Sequence, residues 1–243
     1  MKQWQKILAY TSTLLIVVYA VVVCTMPRVR HEGTVCQKID VVITDSTQRQ
    51  YVRPGEILHY LKEAGLSPVG QPYELIACHT IEEYATRHPM IDQAECYKTT
   101  DGNVKLLLTQ RQPVLRVANE GNYFVDNHRQ TMPLRSTTAT YVPVVTGRVS
   151  KRMACEELFD FVLWLQDSKF WDAQIEQINV NEQLEIELVP RVGSGTILLG
   201  RLDSDYPKRL NKLKKLYTEG FQTIGWKSYR EIDLRYKDQI VCR

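Results

Sequence analysis

Histidines and acidic residues are the first candidates for chemistry in this sequence, because they supply metal ligands and acid–base groups. Two acidic pairs stand close together, Asp203 with Asp205 and Glu182 with Glu187, but each falls at a predicted turn or on the solvent face of a predicted strand. The histidines fit no HExxH or similar spacing; they are His31, His59, His79, His88 and His128. With no nucleophile elbow and no Walker loop either, the sequence predicts no catalytic site, metal site, cofactor or small-molecule substrate.

The glycine-rich segment 192–195, Val-Gly-Ser-Gly, is the remaining candidate for a phosphate site. A phosphate cradle needs the free amides at the start of a following helix. A strand-like run follows here instead, so we interpret the segment as a hairpin turn.

Six cysteines occur, at positions 24, 36, 78, 96, 155 and 242. None forms a CxxC pair, and the spacings match no zinc pattern. Most are predicted to be buried as small apolar side chains. The five that follow position 24 cannot all pair within one chain, and a bridge between Cys78 and Cys96 is left open for an exported domain.

The charge balance is that of an ordinary globular protein, with a net charge of +3 and 24% charged residues. This is too little positive charge to favour nucleic acid as a partner. The densest basic segment is Lys208 to Lys215. It is either the solvated face of an amphipathic helix or a docking face for an acidic partner or an anionic membrane surface.

The uncharged run from Ile7 to Met26 predicts a transmembrane helix after a short tail, residues 1–6. A helix of this length spans about 30 Å, the thickness of the hydrocarbon core of a bilayer. The alternative is a cleaved signal peptide, but the run is too long and no small-x-small cleavage site follows it. Basic residues flank both sides, so the charges leave the orientation open.

After a linker, residues 27–34, the pattern predicts a compact mixed domain over residues 35–110 in the order β-α-α-β-β. Strand 35–44 leads to a helix that Pro54 opens and Gly65 caps. A capping box at Thr80–Glu83 is predicted to open the second helix. Strands 91–98 and 104–110 follow, joined by an Asp-Gly-Asn hairpin.

Residues 111–243 predict a β-rich domain with flanking helices, which makes the whole chain α+β. Helices are expected over 154–168 and 206–219, the first with an apolar stripe of Cys155, Leu158, Phe159, Val162 and Leu163. The predicted strands are 122–126, 141–146, 175–180, 184–189, 196–199, 231–236 and 239–242. The last two could form a sheet edge that accepts a strand from a partner.

Four stretches, in this order, resemble the FtsQ/DivIB family of bacterial cell-division proteins, whose first extracytoplasmic module is a POTRA domain. They are RQPVLRV with GNYFVD (111–126), MPLRSTTATYVPVVTG (132–147), LVPRVGSGTILLG (188–200) and IDLRYKDQIVCR (232–243). The resemblance covers most of residues 35–243 and includes the order of anchor, β-α-α-β-β block and β-rich domain.

The resemblance implies a protein without enzymatic activity that works in the divisome, the assembly that directs septal wall synthesis. The expected partners are FtsB- and FtsL-like single-pass proteins and, through them, the septal wall synthase complex. It also implies a single-pass protein of the cytoplasmic (inner) membrane at the division septum. The N-terminus is then cytoplasmic and the large C-terminal part periplasmic. The six-residue tail is short for the family.

The resemblance also places the family's partner-binding strand on this chain. It falls on Leu234, Arg235, Tyr236, Lys237, Asp238 and Ile240. Arg235 is expected to pair with a partner carboxylate, and Tyr236 to supply contact area with a polar tip. The POTRA region, 35–110, is expected to be a second docking surface towards other membrane-anchored divisome proteins.

Two other functions remain as alternatives. A POTRA-bearing component of an export or outer-membrane assembly system usually carries a β-barrel, yet helices interrupt the strands after residue 116 and no lipid-facing alternation is present. An anchored hydrolase of the cell envelope would need a convergent nucleophile, base or metal set, which the sequence lacks.

Overall fold

The structure is a computed structural model, which describes residues 2–25, 34–45, 51–119, 121–134, 141–191, 195–224 and 229–243. Most of the predicted linker, 27–33, and the glycine-rich turn at 192–194 lie outside the described residues. The remaining segments form an N-terminal helix and two αβ blocks.

The N-terminal helix α1 (Lys2–Thr25) confirms that the apolar run is helical as far as Thr25. The helix begins earlier than predicted, at Lys2 and not at Ile7. The large apolar side chains described between Leu14 and Val23 are exposed. Within the described part of the chain, no helix combines the length and the hydropathy needed to cross a bilayer.

The first block confirms the predicted order β-α-α-β-β. The elements are β1 (Ile39–Ile43), α2 (Pro54–Glu63), a 3₁₀ turn (Tyr73–Leu75), α3 (Cys78–Thr86), β2 (Ile91–Lys98) and β3 (Val104–Gln110). The sheet has the order β1-β3-β2, with β1 parallel and β2 antiparallel to β3. The predicted first strand is shorter than expected, since Val35 forms only an isolated bridge to Pro72.

Helix α2 starts and stops as its sequence predicts. Pro54 occupies the first turn, where its missing N–H costs no hydrogen bond. Gly65 follows the helix with a φ of +71°, a conformation that glycine adopts without a steric penalty. Of the apolar face that the periodicity predicts, Ile57 and Leu61 are fully buried and Ala64 is half-buried, but Leu58 is exposed.

The capping box predicted at Thr80–Glu83 is wrong. Helix α3 begins two residues earlier, at Cys78, and its N-cap residue is Ala77, which makes no side-chain hydrogen bond. Glu83, the residue that would close the box, lies 3.5 Å from Nε2 of His79 in the same helix. The neighbouring Glu82 accepts the backbone N–H of Cys96 in β2 at 2.7 Å.

The second block is a nine-stranded sheet. Its strands are β4 (Pro113–Val117), β5 (Tyr123–Asp126), β6 (Thr131–Pro133), β7 (Val144–Gly147), β8 (Ile175–Val180), β9 (Ile186–Pro190), β10 (Thr196–Gly200), β11 (Glu231–Asp233) and β12 (Val241–Cys242). They lie in the order β12-β11-β10-β9-β8-β7-β4-β5-β6. The pairs β4/β7, β7/β8 and β10/β11 are parallel, and the others are antiparallel.

The helices of this block differ from the prediction in two places. The expected helix 154–168 is two helices, α4 (Lys151–Cys155) and α5 (Glu157–Asp167), broken at Glu156, and α6 (Lys169–Gln174) follows unpredicted. Leu163, assigned to the apolar stripe, is exposed. Helix α7 is shorter than expected (Tyr206–Lys215) and continues through a π-helical turn, Leu216–Gly220, into α8 (Phe221–Ile224).

The two blocks meet at β5 and β6. Phe124 and Met132 belong to the core of the first block although they lie on strands of the second. Beside them, the carboxylate of Asp126 is fully buried and pairs with Arg111 at 2.6 Å. Arg111 also donates to the carbonyl of Pro89, so one guanidinium joins both blocks.

Candidate functional site

The residues singled out for partner binding lie in one turn between β11 and β12, which we call the C-terminal turn (residues 234–240). The predicted strands 231–236 and 239–242 are wrong in their bounds, because β11 ends at Asp233 and β12 begins at Val241. Leu234 is fully buried, and Ile240 packs on the core. The four residues between them that were singled out are exposed: Arg235, Tyr236, Lys237 and Asp238.

Asp233 starts this turn. Its Oδ1 accepts the backbone N–H of Arg235 at 3.1 Å, a local bond that competes with continuing the strand. The N–H of Leu234 still pairs with the carbonyl of Leu198 on β10 at 3.0 Å, and its side chain enters the core. The chain therefore leaves the ladder immediately after Leu234.

The guanidinium of Arg235 is held by two carboxylates of its own chain. Its Nε and Nη2 donate to Asp233 at 3.0 and 2.8 Å, and Nη1 donates to Glu185 at 3.1 Å. These hydrogen bonds from Arg235 hold the pKa of the Asp233 carboxyl below its usual range. A partner carboxylate would thus have to share Arg235 with two existing acceptors.

Gly200 gives the side chain of Arg235 the space to reach these acceptors. It has a φ of +84°, and a Cβ at this position would lie 3.1 Å from Cγ of Arg235. The positive φ favours glycine at this position, and a larger residue would also require the side chain of Arg235 to shift by a few tenths of an ångström.

Helix α7 orders the other half of the turn. Nζ of Lys212 donates to the carbonyls of Tyr236 and Lys237 at 2.8 and 2.9 Å. Backbone carbonyls that would otherwise face water thus gain a charged donor. The basic helix and the C-terminal turn, which were predicted as separate candidates, form one site.

A cavity of about 370 Å³ lies between α7 and the turn. Five of its lining side chains are basic and two are acidic; they are Lys208, Arg209, Lys212, Arg235, Lys237, Asp205 and Asp238, with Tyr236 beside them. Lys208 pairs with Asp205, Arg209 with Asp203, and Arg235 with Asp233 and Glu185. The two remaining basic side chains of the lining, Lys212 and Lys237, make this concave surface complementary to an acidic segment of a partner.

Strand β12 forms the edge of the nine-stranded sheet in the described chain. Arg243 donates its N–H to the carbonyl of Glu231 and accepts the N–H of Glu231 in return. In an antiparallel pair the neighbouring residue faces the other way, so the backbone N–H and C=O of Cys242 point away from β11. This edge can accept another strand next to the basic cavity.

A second cleft, of about 660 Å³, opens at the same end of the sheet. It adjoins the first where Arg209 pairs with Asp203 at 2.9 Å. The two clefts share this end because β7, β8, β10 and β11 run in the same direction and all stop there. The lining residues are Arg148, Ser150, Arg152, Met153, Glu157, Leu184, Arg201, Leu202 and Asp203.

The acidic pair Asp203 and Asp205 lies at this site, but the histidines do not converge on it. His88 is buried 3.6 Å from Glu56, and burial lowers its pKa. His128 pairs with Asp92 at 3.0 Å across the contact between the two blocks. In the described ranges, no three His, Cys, Asp or Glu side chains are grouped so as to hold a metal ion.

Sequence reasoning missed three residues that shape the site: Lys212, Gly200 and Glu185. Lys212 was visible only as one member of a basic helix, and its two carbonyl acceptors lie more than twenty positions along the chain. Gly200 ends β10 and Glu185 precedes β9, and the sequence does not reveal the order of these strands in the sheet.

Two family models match the chain. The model described as FtsQ/DivIB, C-terminal related, matches residues 112–243, and that of a POTRA-like domain matches residues 34–109. No curated protein matches the chain. The first match covers more than half of the sequence and includes the C-terminal turn, α7 and β12. The chain is therefore a member of the FtsQ/DivIB family, with a mixed α+β fold made of a POTRA-like domain and a β-rich C-terminal part.

Proposed function

We propose that this protein is a non-enzymatic scaffold of the bacterial divisome. It binds FtsB- and FtsL-like single-pass proteins outside the cytoplasmic membrane and so helps to assemble and regulate the septal wall synthase complex. Membership of the FtsQ/DivIB family supports a role in cell division with protein partners. The observation that carries the proposal is the open edge of β12 beside a net positive cavity.

In this proposal the partner adds a strand to β12. The outward N–H and C=O of Cys242 pair with the partner backbone, which supplies affinity without demanding a particular sequence. Side chains of the C-terminal turn supply the selectivity. Tyr236 offers an exposed ring, and Lys237 and Lys208 attract acidic residues that flank the partner strand.

The six residues named from the resemblance then have different roles. Tyr236, Lys237 and Asp238 contact the partner. Arg235 contacts it while staying paired with Asp233. Leu234 and Ile240 act through the core, by holding the two ends of the turn in place.

The membrane anchor belongs to the same proposal. Residues 7–26 would cross the inner membrane, with residues 1–6 in the cytoplasm, a linker at 27–34, a POTRA-like domain at 35–110 and the β domain at 111–243 in the periplasm. The uncharged sequence of the run and the exposed apolar side chains of α1 support this arrangement. The POTRA-like domain would be a second docking surface at the division septum.

Replacing Cys242 by proline tests strand addition. Proline removes the N–H of residue 242, which points away from β11, and leaves the β11–β12 hydrogen bonds in place. We expect the Cys242→Pro chain to lose capture of a purified FtsB-like periplasmic segment in a pull-down. The Cys242→Ala chain, which keeps the N–H, should bind like the wild type.

Circular dichroism of both variants controls for folding. Equal capture by a folded Cys242→Pro chain would exclude strand addition at β12. Midcell enrichment of a fluorescent fusion tests the cellular role separately, since uniform envelope signal would contradict a place at the septum.

A further inference from the structure

Three cysteines lie together in the POTRA-like domain. Cys36 and Cys96 are buried in its core, and Cys78 packs against the same core while keeping partial exposure. All three are free thiols in the structure. They come from three different segments: Cys36 lies three residues before β1, Cys78 is the first residue of α3, and Cys96 lies within β2.

Helix α3 places Cys78 over Cys96. Cys78 and Glu82 are four residues apart and therefore lie on the same helix face. Glu82 accepts the backbone N–H of Cys96 at 2.7 Å, which fixes this face directly above β2. Cys78 packs against the core that contains Cys96. Burial raises the pKa of the Cys96 thiol, and the nearby Cys78 thiol raises it further.

Cys36 is close to this pair but points elsewhere. Its Sγ donates to the carbonyl of Lys38 at 3.2 Å. The Cys36 thiol thus has an acceptor of its own, and a bridge from Cys36 would have to break that bond. Of the three pairings, Cys78 with Cys96 requires the least rearrangement.

We propose that Cys78 and Cys96 are an oxidisable pair that forms a disulfide within the POTRA-like domain, while Cys36 stays reduced. The bridge would tie the start of α3 to β2. Ala77, the N-cap residue of α3, contributes no side-chain hydrogen bond there. A covalent link is therefore placed at an end of the helix that lacks a capping side chain.

The chemistry requires an oxidised disulfide compound, RSSR, of the glutathione type. The partly exposed thiolate of Cys78 attacks RSSR, forms the mixed disulfide Cys78–S–SR and releases one RSH. The thiolate of Cys96 then attacks the sulfur of Cys78, forms Cys78–S–S–Cys96 and releases the second RSH. Both cysteines lose a proton and are oxidised, and RSSR is reduced to two RSH.

Cys78 reacts with RSSR first because its thiol is more exposed than that of Cys96. Cys96 is buried, and burial raises the pKa of its thiol, so it is a poor first nucleophile. It reacts in the second step, where its partner sulfur is held next to it. This proposal concerns the POTRA-like domain alone and does not depend on partner binding at β12.

The test is oxidation of the folded full-length chain in detergent with oxidised glutathione, followed by alkylation and peptide mass mapping. We expect a Cys78–Cys96 cross-link, with Cys36, Cys155 and Cys242 alkylated. Thermal unfolding of the POTRA-like domain should shift upwards by on the order of 10 °C. The shift should vanish with a reductant and in Cys78→Ala, and should persist in Cys155→Ala, a matched half-buried cysteine of the other block.

The chain unfolded in urea is the positive control, and the oxidation conditions are chosen so that it forms disulfides readily. If the folded chain then keeps both thiols alkylatable, the proposal is wrong. A product that stops at glutathione on Cys78, or a bridge that contains Cys36, would overturn it equally. If Cys78→Ala unfolds, alkylation mapping of the oxidised wild type and Cys36→Ala chains still decides the question, because both should form the Cys78–Cys96 bridge.

Discussion

Two arginine–aspartate pairs of the same chemistry occur at opposite ends of the β-rich block. At the contact with the POTRA-like domain, Asp126 is 0% exposed and its partner Arg111 only 13% exposed. Beside the C-terminal turn, Asp233 is likewise buried, at 1%, but Arg235 is 43% exposed. The aspartate is buried in both pairs, but only in the second pair is the arginine exposed to solvent.

This difference separates a structural pair from one that is available to a partner. Asp126 also accepts hydrogen bonds from the backbone N–H groups of His128 and Gln130. Its carboxylate is therefore bonded to three groups of its own chain. Arg235 keeps part of its guanidinium surface open next to a net positive cavity. A buried carboxylate requires a cationic partner in both pairs, but only the exposed arginine, Arg235, can also contact another protein.

The largest expected effect is at the buried pair. Asp126→Ala leaves Arg111 without its carboxylate and two backbone N–H groups without an acceptor. We expect the free energy of unfolding to fall by about 3–5 kcal/mol, measured by urea denaturation. Asp126→Asn is the matched control, because it keeps an acceptor oxygen and should lose less. A loss below about 1 kcal/mol for the alanine variant would mean that this pair does not stabilise the contact between the blocks.

A smaller effect is expected at the exposed pair. Arg235→Ala should lower the free energy of unfolding by about 1–2 kcal/mol, since water screens part of the interaction. The pKa of Asp233 is depressed when folded, so its stabilisation is complete above the unfolded value of about 4 and is lost as the pH falls through the folded value. The gap between wild type and Arg235→Ala should therefore be constant at neutral pH and shrink below about pH 4.

The control for this prediction is Arg230→Ala, at an exposed arginine just before β11. It should leave both the stability and its pH dependence close to wild type. If the gap between wild type and Arg235→Ala instead grows on acidification, the assigned role of Asp233 is incorrect.

The smallest effect on stability is expected for Lys212→Ala, which removes two hydrogen bonds to the carbonyls of the C-terminal turn. The cost in unfolding free energy should stay below about 1 kcal/mol. Affinity for an FtsB-like segment should fall about 3–10-fold, because the turn loses its order and the cavity loses a charge. Lys215→Ala, on an exposed position of the same helix, separates this effect from a general loss of positive charge. Calorimetric titration that finds equal affinities for the two variants would rule out a specific role of Lys212.

Local patterns predicted the elements whose partners are close in sequence. Strands 91–98 and 104–110 were predicted with their observed bounds, because alternation and an Asp-Gly-Asn turn specify a hairpin. Gly102 has the positive φ that this turn requires. The capping box at Thr80 failed because α3 begins at Cys78, so that Thr80 lies inside the helix and not at its N-cap.

The candidate site also combines contacts between residues that are close in sequence with contacts between distant elements. Resemblance placed Arg235, Tyr236 and Lys237 at the end of the chain, and alternation extended a strand through them. The strand ends early because Asp233 bonds the N–H of Arg235 and Lys212 binds the next two carbonyls. Only the first of these contacts is short in sequence, and a side-chain bond of this kind competes with a strand without excluding it.

Apolar periodicity and turn residues in the sequence determined the mixed α+β fold, the β-α-α-β-β block and the existence of two final strands, because those signals act over a few positions. The family resemblance, carried by its motifs, indicated a scaffold with its site near the C-terminus. The tertiary structure alone decided that a basic helix, a buried aspartate and the last glycine of β10 would meet at that turn. The parallel order of β7, β8, β10 and β11 brings distant segments to one end of the sheet, and no local pattern encodes which strands become neighbours.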